Sequence, residues 1–281
     1  GLTVEQAAEG IIRIVDENML GALRVVSVAR GMDPRELTLV PFGGAGPVHG
    51  CQLARLAGIS TVLVPAAPGV LSAMGFLLAD VRQVFSRTMV GVIGELDPDR
   101  YNEELDALSR QATAWLDEEH IPAGDRAIEV TLDLRYKGQA YELPISAAIP
   151  LTDASLTEAM TAFHAEHKRR YGYDQPFTTV EIVTLRVTAI GELPTPELQR
   201  HTAEGPDAHH AIASQTQVFF DGAWVETNVY ERSQLRAGNQ FNGPALVRQD
   251  DCTTVIHPGQ VVNVDDLLNL IVTNEEAGNG N

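Results

Sequence analysis

Apolar residues recur at helical spacing from the start of the chain: Val4, Ala7, Ala8, Ile11, Ile12, Val15, Met19, Leu23 and Val26. Thr3, with Gln6 three residues later, has the form of a capping box ahead of them. Arg30-Gly31 ends this helix and Asp33-Pro34 turns the chain. Leu37 to Phe42 reads as a short buried strand and Gly43-Gly44-Ala45-Gly46 as a tight loop. Pro47 suits a first helical position, so a helix is predicted to about Ala57, with Gly58 as its stop. Thr61 to Val64 is a second buried strand. Val70 to Leu78 is a buried helix entered through Pro68-Gly69. This alternation predicts an α/β unit over residues 1–85.

The pattern then changes. Val81 to Ile93 is extended. Asp97 to His120 is an acidic helix with Leu105, Leu108, Ala112, Trp115 and Leu116 on one stripe. Ile128 to Tyr136 alternates as a strand, Lys137-Gly138 can turn, and Gln139 to Ile145 alternates back. A helix over Leu156 to Tyr171 and a strand over Val180 to Ile190 complete an α+β domain, 86–193. Residues 194–211 are Pro-rich and aperiodic, as a linker is. Short β runs follow: Thr216 to Phe220, Trp224 to Tyr230, Ala245 to Arg248, Cys252 to Ile256 and Leu267 to Val272. Asp221-Gly222 marks a hairpin. These runs predict a small β module over 212–274, and 275–281 reads as a disordered tail.

Charge refines this division. The 281 residues carry a formal charge of −18. Residues 1–96 are nearly neutral, with 8 acidic and 7 basic side chains, whereas 97–193 hold 18 and 9 and 194–281 hold 12 and 4. The acidic balance argues against nucleic acid and anionic membranes as partners. Residues 37–79 contain one formal charge, Arg55. The uncharged run from Leu56 to Ala79 is long enough to raise a membrane span. Gly58, Pro65, Pro68, Gly69 and Gly75 interrupt it too often for hydrocarbon. Two cysteines make no disulfide framework, which fits a reducing, cytoplasmic setting. The chain opens on Gly1 rather than Met, which reads as a piece of a longer polypeptide.

The loop at Gly43, Gly44, Ala45 and Gly46 is the strongest chemical signal. Glycines admit a ligand to the backbone, and a helix start offers unpaired N–H groups to an anion. His49 stands where a dinucleotide fingerprint has its third glycine, and no Gly-Lys-Ser/Thr follows, so neither standard phosphate loop is present. A packed strand-to-helix turn and a nucleotide contact both remain open. His49 is either a polar contact beside that ligand or a half-buried histidine bonded to backbone. Cys51 reads as core. His164 and His167 share a helix face, but without a metal motif a solvated face is expected and no metal is assigned. In the hairpin of Tyr136, Gln139, Tyr141 and Glu142, Gln139 could bond a substrate carbonyl and Glu142 could act as acid or base. Cross-strand packing is the alternative. Arg135 is the cation there that could pair a carboxylate or phosphate.

Residues 37–80, LTLVPFGGAGPVHGCQLARLAGISTVLVPAAPGVLSAMGFLLAD, closely resemble the hydantoinase A / 5-oxoprolinase family. The resemblance continues in LRYKGQAYELPI (134–145), FHAEHKRRYGY (163–173), VEIVTLRV (180–187) and GPALVRQDDCTTVIHPG (243–259). It implies ATP-dependent hydrolysis of cyclic amides, or a related ATP-dependent ketone carboxylation. It also implies that 1–85 is the remnant of the second lobe of an actin-like ATPase, with Gly43 to Gly46 on the adenosine side of ATP. Residues 1–36 hold no match to that fold's phosphate hairpins. The chain therefore resembles the C-terminal part of a family member. ATP and Mg²⁺ would be held mainly by the N-terminal half, and a hydantoinase B-like subunit is a further implied partner. A non-catalytic assembly subunit is the competing reading.

Overall fold

A computed structural model describes residues 1–194 and 197–274. The first part runs α1 (Val4–Val26), β1 (Thr38–Leu39), α2 (Gly46–Ala57), β2 (Thr61–Val64), α3 (Leu71–Leu78), β3 (Val81–Val92), α4 (Pro98–Glu118), β4 (Arg126–Tyr136), β5 (Leu143–Ser146), α5 (Asp153–Tyr171) and β6 (Val180–Gly191). Seven strands follow: β7 (Ile212–Phe220), β8 (Ala223–Glu231), β9 (Gln240–Asn242), β10 (Ala245–Arg248), β11 (Thr253–Ile256), β12 (Gln260–Val264) and β13 (Leu270–Asn274). The fold is mixed α/β, with three sheets among the described residues. The chain divides into two compact units, one from residue 78 to the end of β6 and the other built from residues 1–77 with 197–274.

The unit from residue 78 is an antiparallel sheet in the order β3-β6-β4-β5 with two helices. Asp97 caps α4 by accepting from the Asp99 amide, and Thr152 and Ser155 cap α5 reciprocally. The apolar stripe of α4 (Tyr101, Leu105, Leu108, Ala112, Leu116) and that of α5 (Leu156, Ala159, Phe163) are buried with Leu132, Leu134, Ile182, Leu185 and Val187 of the sheet. Sequence periodicity located these helices because their apolar stripes and their buried faces coincide.

In the other unit the two ends of the chain interleave. A five-stranded sheet runs β1-β2-β13-β12-β9, and a four-stranded one runs β11-β10-β8-β7. β2 pairs antiparallel with β13, Val64 opposite Leu270 and Thr61 opposite Thr273. α2 packs against β2 and β11, and α1 packs on α2. Cys51 and Ala54 share one core with Val62, Val64, Phe241, Ile256, Leu270 and Val272. The modules expected over 1–85 and 212–274 are thus not separate: residues 1–77 share a sheet and a core with 212–274, while residues 78–85 belong to the other unit, with β3 in its sheet. Pairing over some two hundred residues leaves no local trace in sequence. The expected linker is a packed strap: His201 N–H donates to the Asp266 carbonyl, Glu204 N–H to Ala237 and Gln240 N–H to Pro206, and Ala208 and Ala211 are buried. The tail expected over 275–281 lies outside the described residues.

Two further expectations are corrected, and α1 adds a finding. The strand at Leu37 to Phe42 is two residues long, and Val40 and Phe42 are exposed. α3 is not buried: Phe76 is 85% and Leu77 77% exposed. α1 is capped as expected by Thr3 and Gln6, but it turns Asp16, Leu20 and Ser27 inward. Val4, Ile11, Val15, Met19 and Val26 are exposed on it.

His257 packs its ring against Phe220, with centroids 5.2 Å apart. Burial, reinforced by Arg55, lowers its pKa to about 4 from the ordinary 6.5. The unfolded chain therefore takes up this proton at a higher pH than the folded chain. The stabilisation is full above about pH 6.5 and is lost as pH falls through 4, about 3 kcal/mol in all. Urea unfolding of the wild type and His257→Gln between pH 7 and 4 should show a shallower acid loss in the variant.

Candidate functional site

The glycine loop follows β1 and opens α2. Gly43 has φ +79°, a left-handed conformation that favours glycine, and a side chain there would meet nothing within 4 Å. Its N–H donates to the Pro68 carbonyl at 2.8 Å. Ala45 caps α2 without a side-chain hydrogen bond, so the N–H groups of the first turn have no side-chain acceptor from the cap. A Cβ on Gly44 would lie 3.4 Å from the Asp251 carbonyl.

The loop is held through residues 65–69, and the clamp comes from the far end of the chain. Arg232 Nη2 donates to the carbonyls of Pro65 (3.2 Å) and Leu268 (2.7 Å). Ala66 N–H donates to Asn269 Oδ1 at 3.1 Å, and Gly69 N–H to Asp251 Oδ2 at 2.9 Å. Asp251 sits so close that a Cβ on Gly69 would lie 2.2 Å from its carboxylate oxygen. Burial lowers the Arg232 pKa to about 10, which leaves the guanidinium charged at neutral pH. A cavity of about 450 Å³ lies beside this clamp, lined by Ala66, Arg232, Gln249 and Asp251 among others. None of Asp251, Arg232 or Asn269 was singled out from sequence, because each acts on residues about 170–200 positions away.

His49 closes the first turn of α2. Its Nδ1–H donates to Asp16 Oδ1 of α1 at 2.7 Å. It is thus bonded to a carboxylate, not to backbone. Asp16 is 2% exposed, so it is a buried acid whose imidazole partner is half-buried. The sequence carried no signal for this pair beyond a polar residue on α1. Cys51, two residues further on, is fully buried, and burial pushes its thiol up to about 12. Burial likewise pushes Cys252 up to about 11, and both are free thiols. Neither is poised as a nucleophile.

Gln139 and Glu142 belong to the other unit. They lie in the connection between β4 and β5 and not on a returning strand. The motifs around them converge on a ring cluster. Tyr136 Oη accepts from the Gln175 amide at 2.7 Å and lies 2.7 Å from His164 Nδ1. His167 Nδ1–H donates to the Tyr173 carbonyl at 2.8 Å, and the Gln139 amide reaches His167 Nε2 at 3.5 Å. His167 is 2% exposed, so the solvated face expected for this helix is corrected. Arg135 Nε donates to the buried Glu181 at 2.6 Å, with Glu142 3.7 Å from Arg135 Nη1. Its charge is therefore engaged by protein carboxylates. Tyr141 is exposed. Among the described residues no group of three potential metal-binding side chains occurs, and no helix is long and apolar enough to cross a membrane.

The model of the family described as Hydantoinase/oxoprolinase matches residues 1–84, and that of the Hydantoinase/oxoprolinase C-terminal domain matches 99–273. An uncharacterized protein of Methanocaldococcus jannaschii is 38% identical over 267 residues, covering 94% of this chain and 37% of that protein. Caprolactamase subunit alpha of Pseudomonas jessenii is 31% identical over 276 residues, covering 94% and 39%. The crystal structure of ATP-dependent caprolactamase from the same organism superposes with a TM-score of 0.81 at 28% identity, covering 98% of this chain and 40% of that one. The chain thus spans about two fifths of the length of these relatives.

The clamp yields a specific expectation. Gly69→Ala should destabilise the unit by about 1–3 kcal/mol, because its methyl group displaces the Asp251 carboxylate and strands the amide. Asp251→Ala should cost a similar amount, and the double variant little more. Additive losses in thermal unfolding would show that the two residues do not act as a pair.

Proposed function

Since the chain belongs to the hydantoinase/oxoprolinase family, we propose that it supplies the adenosine-side loop of an ATP-dependent hydrolase of cyclic amides. The observation that carries this reading is the glycine loop itself. Gly43 leaves open space beside the backbone, and the start of α2 has no side-chain cap. That geometry fits a nucleotide contact made by main chain. The ATP-dependent caprolactamase superposes on nearly the whole chain.

The fit is partial in a way that defines the role. Residues 37–79 offer Arg55 as their sole cation, and it lies 3.9 Å from Asp221. Phosphate-gripping groups and any Mg²⁺ site therefore belong to residues that relatives carry beyond this stretch. Those residues would complete an actin-like lobe, of which 1–77 form the later part. ATP, when bound, supplies a phosphoryl group that activates an amide oxygen. This chain's contribution is to present Gly43, Gly44, Ala45, Gly46 and His49 to the nucleoside. In the other unit Gln139 would be a contact for a substrate carbonyl and Glu142, 3.7 Å from Arg135, an acid or base. The exposed apolar side of α1 supports an incomplete lobe. Eight large apolar side chains open to water on one helix cost solubility unless another surface covers them. The chain alone would then be inactive, and a second subunit is a further partner.

Calorimetry with ATP and Mg²⁺ tests this. The chain alone should show little binding, and the chain joined to the remaining residues of the family protein should bind. In that assembly Gly44→Ala, whose methyl group makes only ordinary contact with Asp251, should keep its melting temperature yet weaken ATP by about tenfold. Gly44→Val should abolish binding. Unchanged affinity in both variants would remove the nucleotide role from the loop.

A further inference from the structure

We infer that Asp16 is the positioning residue of this site. It fixes the His49 ring so that Nε2 becomes a hydrogen-bond acceptor for a donor group, a hydroxyl or an amino N–H, on the ligand of the glycine loop. The inference rests on the nucleotide reading above.

An ionised carboxylate can only accept, so the 2.7 Å contact places the proton on His49 Nδ1. In the neutral ring Nε2 then carries the lone pair. Among the described residues Nε2 has no hydrogen-bond partner, and it is not sealed from solvent. His49 lies three residues after Gly46, on the same first turn that the loop opens. The residue is therefore carried by the turn that the loop opens.

Packing alone does not call for an acid at position 16. Its inward-facing neighbours on α1 include Leu20, 2% exposed, and the half-buried Leu23. A leucine at 16 would extend that apolar contact without the desolvation cost of a buried carboxylate. Among the described residues the Asp16 side chain makes one hydrogen bond, to His49. α1 also joins two surfaces. Its apolar side is exposed, and its inward side bonds the histidine.

Two measurements decide the matter. In the chain labelled with ¹⁵N-histidine, imidazole spectra should show His49 as a single Nδ1–H tautomer. Asp16→Leu should lose that pattern with little loss of stability, and Asp16→Asn should retain it, because an amide oxygen still accepts. In the full family assembly, Asp16→Leu and His49→Gln should each raise the Kd for ATP about tenfold, and the double variant should lose no more. Asp16→Asn should bind nearly as wild type. A purely structural role would leave the Kd of Asp16→Leu unchanged. A wild-type His49 protonated on Nε2 alone, an unchanged Kd, or additive losses would overturn the assignment of Asp16. Absence of ATP binding in the unmodified assembly would instead overturn the reading of the loop, and with it the ligand role of His49, while the tautomer still reports whether Asp16 orients the ring.

Discussion

The pairing of β2 with β13 is the constraint on which the candidate site depends. It joins residues 61–64 to residues 270–273, so the loop after β2 emerges beside the chain's late strands. Only there can Arg232, Asn269 and Asp251 reach the backbone of Pro65, Ala66 and Gly69. Gly43 in turn bonds to Pro68. The glycine loop is thus the last member of a hydrogen-bonded series that begins in the β strands. Arg232 is buried, bonds two carbonyls through Nη2 and pairs with no carboxylate among the described residues, and its Nη1 has no partner there, so this series holds a charge at a desolvation cost.

The fold was legible in sequence where structure is local. α4 and α5 follow their apolar stripes because those stripes are the buried faces. The strand Ala245–Arg248 and the turn at Asp221-Gly222 follow their punctuation. β9 and β12 were missed. β9 has three residues, and β12 falls between Pro258-Gly259 and two aspartates that read as loop. The joining of the two ends was also invisible, because residue pairing across the chain does not appear in any local window.

α1 shows the opposite failure. Its periodicity predicted a helix, and a helix forms, but the apolar side does not face this chain's own core. Periodicity reports that a face will be buried and not what buries it. Of the candidate site, the glycines and His49 were readable as motif residues. Asp16 was not: an aspartate on a helix surface is ordinary until a histidine 33 residues later is placed against it. Glu142 and Gln139 were readable as a cluster, yet the partners that now define them, Arg135 with Glu181 and His167, come from three different elements.

In the function proposed above, this unit is part of a larger lobe whose remaining residues cover α1. Thiol labelling of Ile11→Cys tests it most directly, because Ile11 is 64% exposed and the two native cysteines are buried. The introduced thiol should react freely in the chain alone and become strongly protected once the remainder of the family protein is joined to it. Equal labelling rates in the two states would show that α1 stays uncovered in the whole protein.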